Sequence, residues 1–112
     1  MRNNIRSNID SLKKQYSTIA GYGSPAKATT ALNYFGINSD DIDFIIEDNE
    51  LKHDKYVPGT GIPIRSKIHC RSNMPGLVIV FAWNFYDSII EQNKDLIDLG
   101  VKFLNITDLG KD

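Results

Sequence analysis

Ten residues near the amino end constrain the fold most: Thr18-Ile19-Ala20-Gly21-Tyr22-Gly23-Ser24-Pro25-Ala26-Lys27. An apolar strand runs into a glycine turn and then opens a helix, the junction from which parallel α/β sheets are built. In this reading Gly21 and Gly23 let the backbone turn tightly and approach a ligand, and Ala26 lets the helix pack on the strand. Ser24 is placed to cap the helix, with Pro25 at its first position. The N–H groups at such a helix start suit an anion. The spacing is the GxGxxA form of the dinucleotide fingerprint. Lys27 adds a cation there, either to meet a phosphate or simply as a solvated surface lysine.

The remaining chain continues the alternation. Residues 1–15 are expected to form an amphipathic lead-in helix with Ile5, Ile9 and Leu12 on one face, and residues 16–112 the domain proper. Strands are expected at Tyr16–Ala20, Asp43–Glu47, Leu77–Ala82 and Val101–Leu104, with a short one beginning at Ile64. Helices are expected from Pro25 to about Tyr34, from Ser66 to Cys70, and from Phe85 to Leu99 with Ile89, Ile90, Leu96 and Ile97 inward. Leu77–Ala82 is the most hydrophobic segment and belongs in the centre, buried on both faces. These elements predict an α/β fold: a three-layer, Rossmann-like domain with a small, mostly parallel sheet joined by right-handed crossovers. Ligands of such sheets bind beyond the carboxyl ends of the strands. That edge is expected to carry Gly21–Lys27, Glu47–Asn49 and Trp83-Asn84, with the long loop Lys52–Pro63 leaving from it.

Composition excludes several classes. Thirteen Lys and Arg against 14 Asp and Glu leave a net charge of -1, which argues against a dedicated nucleic-acid binder. No apolar run approaches the roughly 20 residues of a membrane span, and the polar start Met1–Asp10 is not a secretory signal, so a cytoplasmic location is expected. The single cysteine, Cys70, pairs with nothing inside the chain, and no Cys/His cluster suggests a metal.

The chemical candidates are sparse. Glu47 lies 21 residues after Ala26, near the spacing of a ribose-binding acid, and equally well simply ends a strand. His53 sits in a polar loop with Asp54 and Lys55. His69 precedes Cys70 without making a catalytic pair, and Cys70 reads as an inert, half-buried thiol. Pro58-Gly59-Thr60-Gly61-Ile62-Pro63 is a sharply bent segment, either a connector or a loop that touches a ligand or partner. Trp83 and Asn84 follow the central strand directly. They suit stacking on and hydrogen bonding to a ligand, or else core packing and helix capping.

Five blocks then occur in order: Gly21-Tyr22-Gly23-Ser24-Pro25-Ala26-Lys27, Leu32-Asn33-Tyr34-Phe35-Gly36-Ile37, Asp48-Asn49 with Lys52, Tyr56-Val57-Pro58-Gly59-Thr60-Gly61-Ile62-Pro63, and Ala82-Trp83-Asn84-Phe85. Together, over roughly Tyr16 to Leu104, they resemble the C-terminal domain of the SAM-dependent sugar C-methyltransferases, which methylate a ring carbon of a nucleotide-linked keto-deoxysugar. The resemblance implies a Rossmann-type unit that binds no SAM itself. SAM and the catalytic base would belong to a separate central domain, and zinc to a cysteine-rich N-terminal domain, neither of which is in this sequence. It implies a substrate-orienting role with no catalytic residue here. Substrate contacts would come from Gly21, Tyr22, Gly23, Ser24, Lys27, Asp48, Asn49, Pro58, Gly59, Thr60, Trp83 and Asn84. The expected partners are a SAM-binding methyltransferase domain or subunit and a nucleotide-sugar. Separation from that neighbour would bare a surface, so a homodimer or an exposed apolar patch is expected. The residues taken alone also permit a different reading, a stand-alone NAD- or nucleotide-binding module without catalysis, resting on Gly21, Gly23, Ala26 and Glu47. A third is a folded remnant that serves as an interaction surface.

Overall fold

Five strands too short to bury themselves alone lie side by side in the computed structural model, which describes residues 2–23, 25–47, 55–57 and 59–110. Side chains at 2–4, 25–28, 31, 71 and 109–110 fall outside that description. The strands are β1 (Ile19–Tyr22), β2 (Phe44–Ile46), β3 (Ile64–Arg65), β4 (Leu77–Val80) and β5 (Lys102–Asn105). Every pairing is parallel and the order is β3-β2-β1-β4-β5. All residues of β1, β2 and β4 are buried, as an inner parallel sheet covered on both faces requires.

The period-2 alternation of the strands feeds two cores. Ile19, Ile45, Leu77, Ile79 and Phe81 point to one face, where they meet Ile5 and Ile9 of helix α1 (Arg2–Gln15) and Leu32 of α2 (Pro25–Phe35). Ala20, Tyr22, Phe44, Val78, Val80 and Phe103 point to the other, against Ile89 of α3 (Tyr86–Gln92) and Leu96 of α4 (Lys94–Asp98). The result is a three-layer α/β fold of the Rossmann-like kind, as the alternation of elements predicts.

Two devices set the ends of α2 and the seat of α1. Gly36 has φ +70°, and Ile37 N–H returns to the Leu32 carbonyl at 2.8 Å, a left-handed helix stop. Asp41 is buried and accepts hydrogen bonds from Arg6 (2.6 and 2.7 Å), Lys13 (3.0 Å) and the Asn38 N–H (3.2 Å). It ties α1 to the approach of β2. Burial alone would raise its pKa, but those bonds outweigh it and hold the carboxyl at about 2.

Two expectations are corrected. The first strand runs two residues further than expected, so Gly21 is inside β1 rather than in the turn. A Cβ there would collide with the Ile45 side chain and lie 2.7 Å from Phe81 Cε2, so its lack of a side chain serves core packing. The expected helix Phe85–Leu99 is three pieces: a 3-10 turn at Trp83–Phe85, then α3 and α4, broken at Asn93. Asn93 is fully buried, and its Nδ2 bonds the Ile89 carbonyl at 2.7 Å. The short helix expected at Ser66–Cys70 is present, as a 3-10 helix over Lys67–Arg71.

Candidate functional site at the carboxyl edge

The strand order places a topological switch between β1 and β4, because the chain leaves β1 toward β2 and later returns to β1's other side. In open parallel sheets the crevice beyond the strand ends at that switch is where ligands bind. Here it is flanked by Gly23, which follows β1, and by Ala82–Phe85, which follow β4. Gly23 is buried with φ +149°, a backbone that a residue with a side chain rarely adopts. A Cβ on it would lie 3.1 Å from the Ala82 nitrogen, so the two loops abut.

On the far side of that contact the 3-10 turn Trp83–Phe85 buries none of its residues. Trp83 is 57% exposed and Phe85 55% exposed. The core-packing reading of Trp83 is therefore excluded. Asn84 lies inside the 3-10 turn, and the residue at the head of α3 is Phe85, so the helix-cap reading of Asn84 fails too. Asn105 Nδ2 ties the turn to β5 by donating to the Trp83 carbonyl at 3.4 Å, and the hydroxyl of Tyr86, at the start of α3, donates to the Phe103 carbonyl at 3.1 Å.

Of the other expected contacts, Tyr22 ends β1 and is packed in the core against the α3–α4 layer. Gly59 and Thr60 do not reach the carboxyl edge. Thr60 is buried, its hydroxyl bonds the Val57 carbonyl at 2.8 Å, and its own carbonyl accepts from Ser39 N–H ahead of β2. Gly59 sits against Asn33 near the end of α2. The expectation that this loop lies on the ligand edge is thus corrected for its described part. By Tyr56, bridged to Pro63, the chain has returned to the amino edge where β3 begins. Ser24, Asp48, Asn49 and Pro58 lie outside the described residues, as does the side chain of Lys27. The described members of the expected site that share one edge are Gly23, Trp83 and Asn84, with Tyr22 beneath them. Sequence reasoning missed Asn105, whose signal was an Asn two residues before a Thr at a strand end, a common side-chain turn.

A concavity of about 290 Å³ lies away from that edge, at the amino ends of β1 and β2, lined by Thr18, Asp43, Phe44, Pro63, Arg65, His69 and Asn73. The His69 ring stands edge-on to Phe44, and Asp43 is engaged by the Ile19 N–H at 2.9 Å. Cys70 beside it is buried, and burial pushes its thiol up to about 11, the state of an unreactive thiol. Among the described residues no group of three His, Cys, Asp or Glu could hold a metal, and no helix is long and apolar enough to cross a membrane.

An all-parallel sheet in this strand order, with helices on both faces, defines a small Rossmann-like α/β domain. Residues 1–107 match the model of the C-methyltransferase C-terminal domain, and the chain belongs to that family. It is 31% identical over 104 residues to the C-methyltransferase NovU of Streptomyces niveus. The match covers 93% of this chain and 25% of NovU, so the chain spans about a quarter of the length of the curated relative it matches.

Proposed function

We propose that this chain is the substrate-orienting domain of a SAM-dependent C-methyltransferase acting on a nucleotide-linked keto-deoxysugar. SAM and the base that deprotonates the sugar carbon would lie in polypeptide outside this sequence. Membership of the family supports the methyltransferase assignment. The observation that carries the orienting role is the exposed indole of Trp83 at the switch point. Gly23, Ala82, Trp83, Asn84, Phe85 and Asn105 flank that point. Such a surface can stack a ring and hydrogen-bond an amide-matched edge. SAM would supply the methyl group. This chain's residues would hold the keto-sugar still, which lowers the barrier by restricting orientation rather than by chemistry.

Trp83 is the only tryptophan, so its fluorescence reports this edge alone. Titration with a thymidine- or uridine-diphosphate hexose is expected to quench it, while SAM and NAD(H) leave it unchanged. Tight SAM binding by this chain in equilibrium dialysis would overturn the division of labour. A response to NAD(H) alone would instead favour a dinucleotide-binding module.

A further inference from the structure

We infer that the concavity at the amino edge of the sheet is a binding site for an uncharged polyhydroxylated molecule about the size of one sugar ring. It lies at the opposite end of the strands from the switch point, so it stands apart from the function proposed there. Backbone bonds set its walls. Asp43 N–H donates to the Ile19 carbonyl at 2.7 Å, and Asp43 Oδ2 accepts the Ile19 N–H at 2.9 Å. This two-bond clasp fixes the carboxylate between β1 and β2. The His69 carbonyl accepts the Asn73 N–H at 3.0 Å, and the His69 ring stands edge-on to Phe44 with centroids 4.9 Å apart. The Gly76 N–H holds the Thr18 carbonyl at 2.9 Å.

Residues held in this way keep side-chain capacity to spend. Among the described residues Asp43 Oδ1 accepts no hydrogen bond, and none reaches the Thr18 hydroxyl, the Asn73 amide or the His69 ring. Such groups on a fixed backbone make a preformed site, because little ordering is left to do on binding. Their mixture selects the ligand. Arg65 also lines the cavity, its Nη1 given to the Ile64 carbonyl at 3.2 Å, so it closes the wall rather than carrying recognition. A cation and the Asp43 carboxylate in one cavity match neither a simple anion nor a simple cation. A hydroxyl both donates and accepts, so a polyol serves Asp43, which only accepts, and Thr18 and Asn73, which do both. Phe44 and Pro63 give the C–H face of a ring an apolar wall. A volume of about 290 Å³ admits one ring rather than several.

Titration of the isotope-labelled chain with D-glucose and D-mannose, followed by amide NMR shifts, tests this. Ile19, Asp43, His69 and Asn73 should shift together and saturate, with a dissociation constant of about 1–10 mM for so open and polar a site. Raffinose, with three rings, should leave them unmoved. Asn73→Ala removes a side chain that makes no hydrogen bond in the fold, so its unfolding midpoint should match wild type. Its affinity for the hexose should fall about fivefold, the worth of one hydrogen bond. The inference is overturned if neither hexose gives a saturable shift, or if Asn73→Ala binds as tightly as wild type. Shifts confined to Gly23 and Trp83 would place the sugar at the switch point instead and overturn it too. Glycine or inorganic phosphate moving the amino-edge amides while the hexoses do not would show that the cavity reads charge, and the polyol assignment would fall.

Discussion

Trp83 and Gly21 show how differently two residues of one expected motif behave. Trp83 is more than half exposed, so its truncation removes little buried surface. Trp83→Ala is expected to change stability by less than ~0.5 kcal/mol, and to weaken nucleotide-sugar binding about tenfold by loss of stacking. Calorimetry of both quantities on one preparation checks it; a large loss of stability with unchanged affinity would make Trp83 structural. Gly21 is the reverse. Its Cα faces Ile45 and Phe81, with Phe81 Cε2 only 2.7 Å from where a Cβ would stand. Gly21→Ala should therefore cost about 1–3 kcal/mol by overpacking. Urea unfolding should show a lower midpoint with an unchanged slope. Cys70 adds a residue-scale reporter. Its thiol is buried and raised to about 11, so iodoacetamide at pH 8 should modify it only as the chain opens. Fast labelling of the native protein would contradict the packing seen here.

At the scale of elements, α1 is held by charge as well as by Ile5 and Ile9. Asp41 is the hub, its side chain 2% exposed, and Arg6 and Lys13 reach it from α1. Asp41→Ala should destabilise the fold by roughly 2–3 kcal/mol, because it removes the buried acceptor that Arg6, Lys13 and the Asn38 N–H share, leaving Arg6 with only Asp10 and the Gly36 carbonyl. The pH dependence follows from the sign of the shift. The carboxyl titrates near 3.8 when unperturbed and near 2 in the fold, so its contribution is complete above about pH 4. It is lost as pH falls from 4 toward 2, and is worth about 2 kcal/mol by the size of that shift. Denaturant midpoints from pH 6 to pH 2 should fall steeply below pH 4 in the wild type and more shallowly in Asp41→Ala. Parallel profiles would remove Asp41 from the account. The α3–α4 break belongs to the same scale: a buried Asn93 interrupts what the apolar spacing of Ile89, Ile90, Leu96 and Ile97 presents as one continuous helix.

For the whole molecule, the sheet organises two unequal edges. The amino edge carries the Thr60 turn, the Asp41 hub and a polar concavity. The carboxyl edge carries the switch point with its exposed aromatic turn. Under the proposed function, adding a SAM-binding methyltransferase domain should raise nucleotide-sugar affinity above that of this chain alone; equal affinity in both would count against a shared cleft.

The residues by themselves determined the parallel α/β architecture and the burial of Leu77–Val80 on both faces, because apolar period and glycine punctuation are local properties of the chain; the central position in the sheet, expected for that strand, belongs to β1. They also determined the family, since the five ordered blocks are a pattern in sequence. The tertiary structure decided what locality cannot carry. Whether Gly21 turns the chain or makes room for Phe81 depends on residues 24 and 60 positions away. The Thr60 loop lies on the amino edge because β3 pairs parallel to β2, so the chain must cross back before Ile64. Asp41 finds Arg6 and Lys13 only once α1 is laid across the sheet, and Asn105 meets Trp83 only because β5 pairs with β4. Pairing between distant segments sets which neighbours a side chain has, and those neighbours, more than its own identity, settle whether it packs, holds or binds.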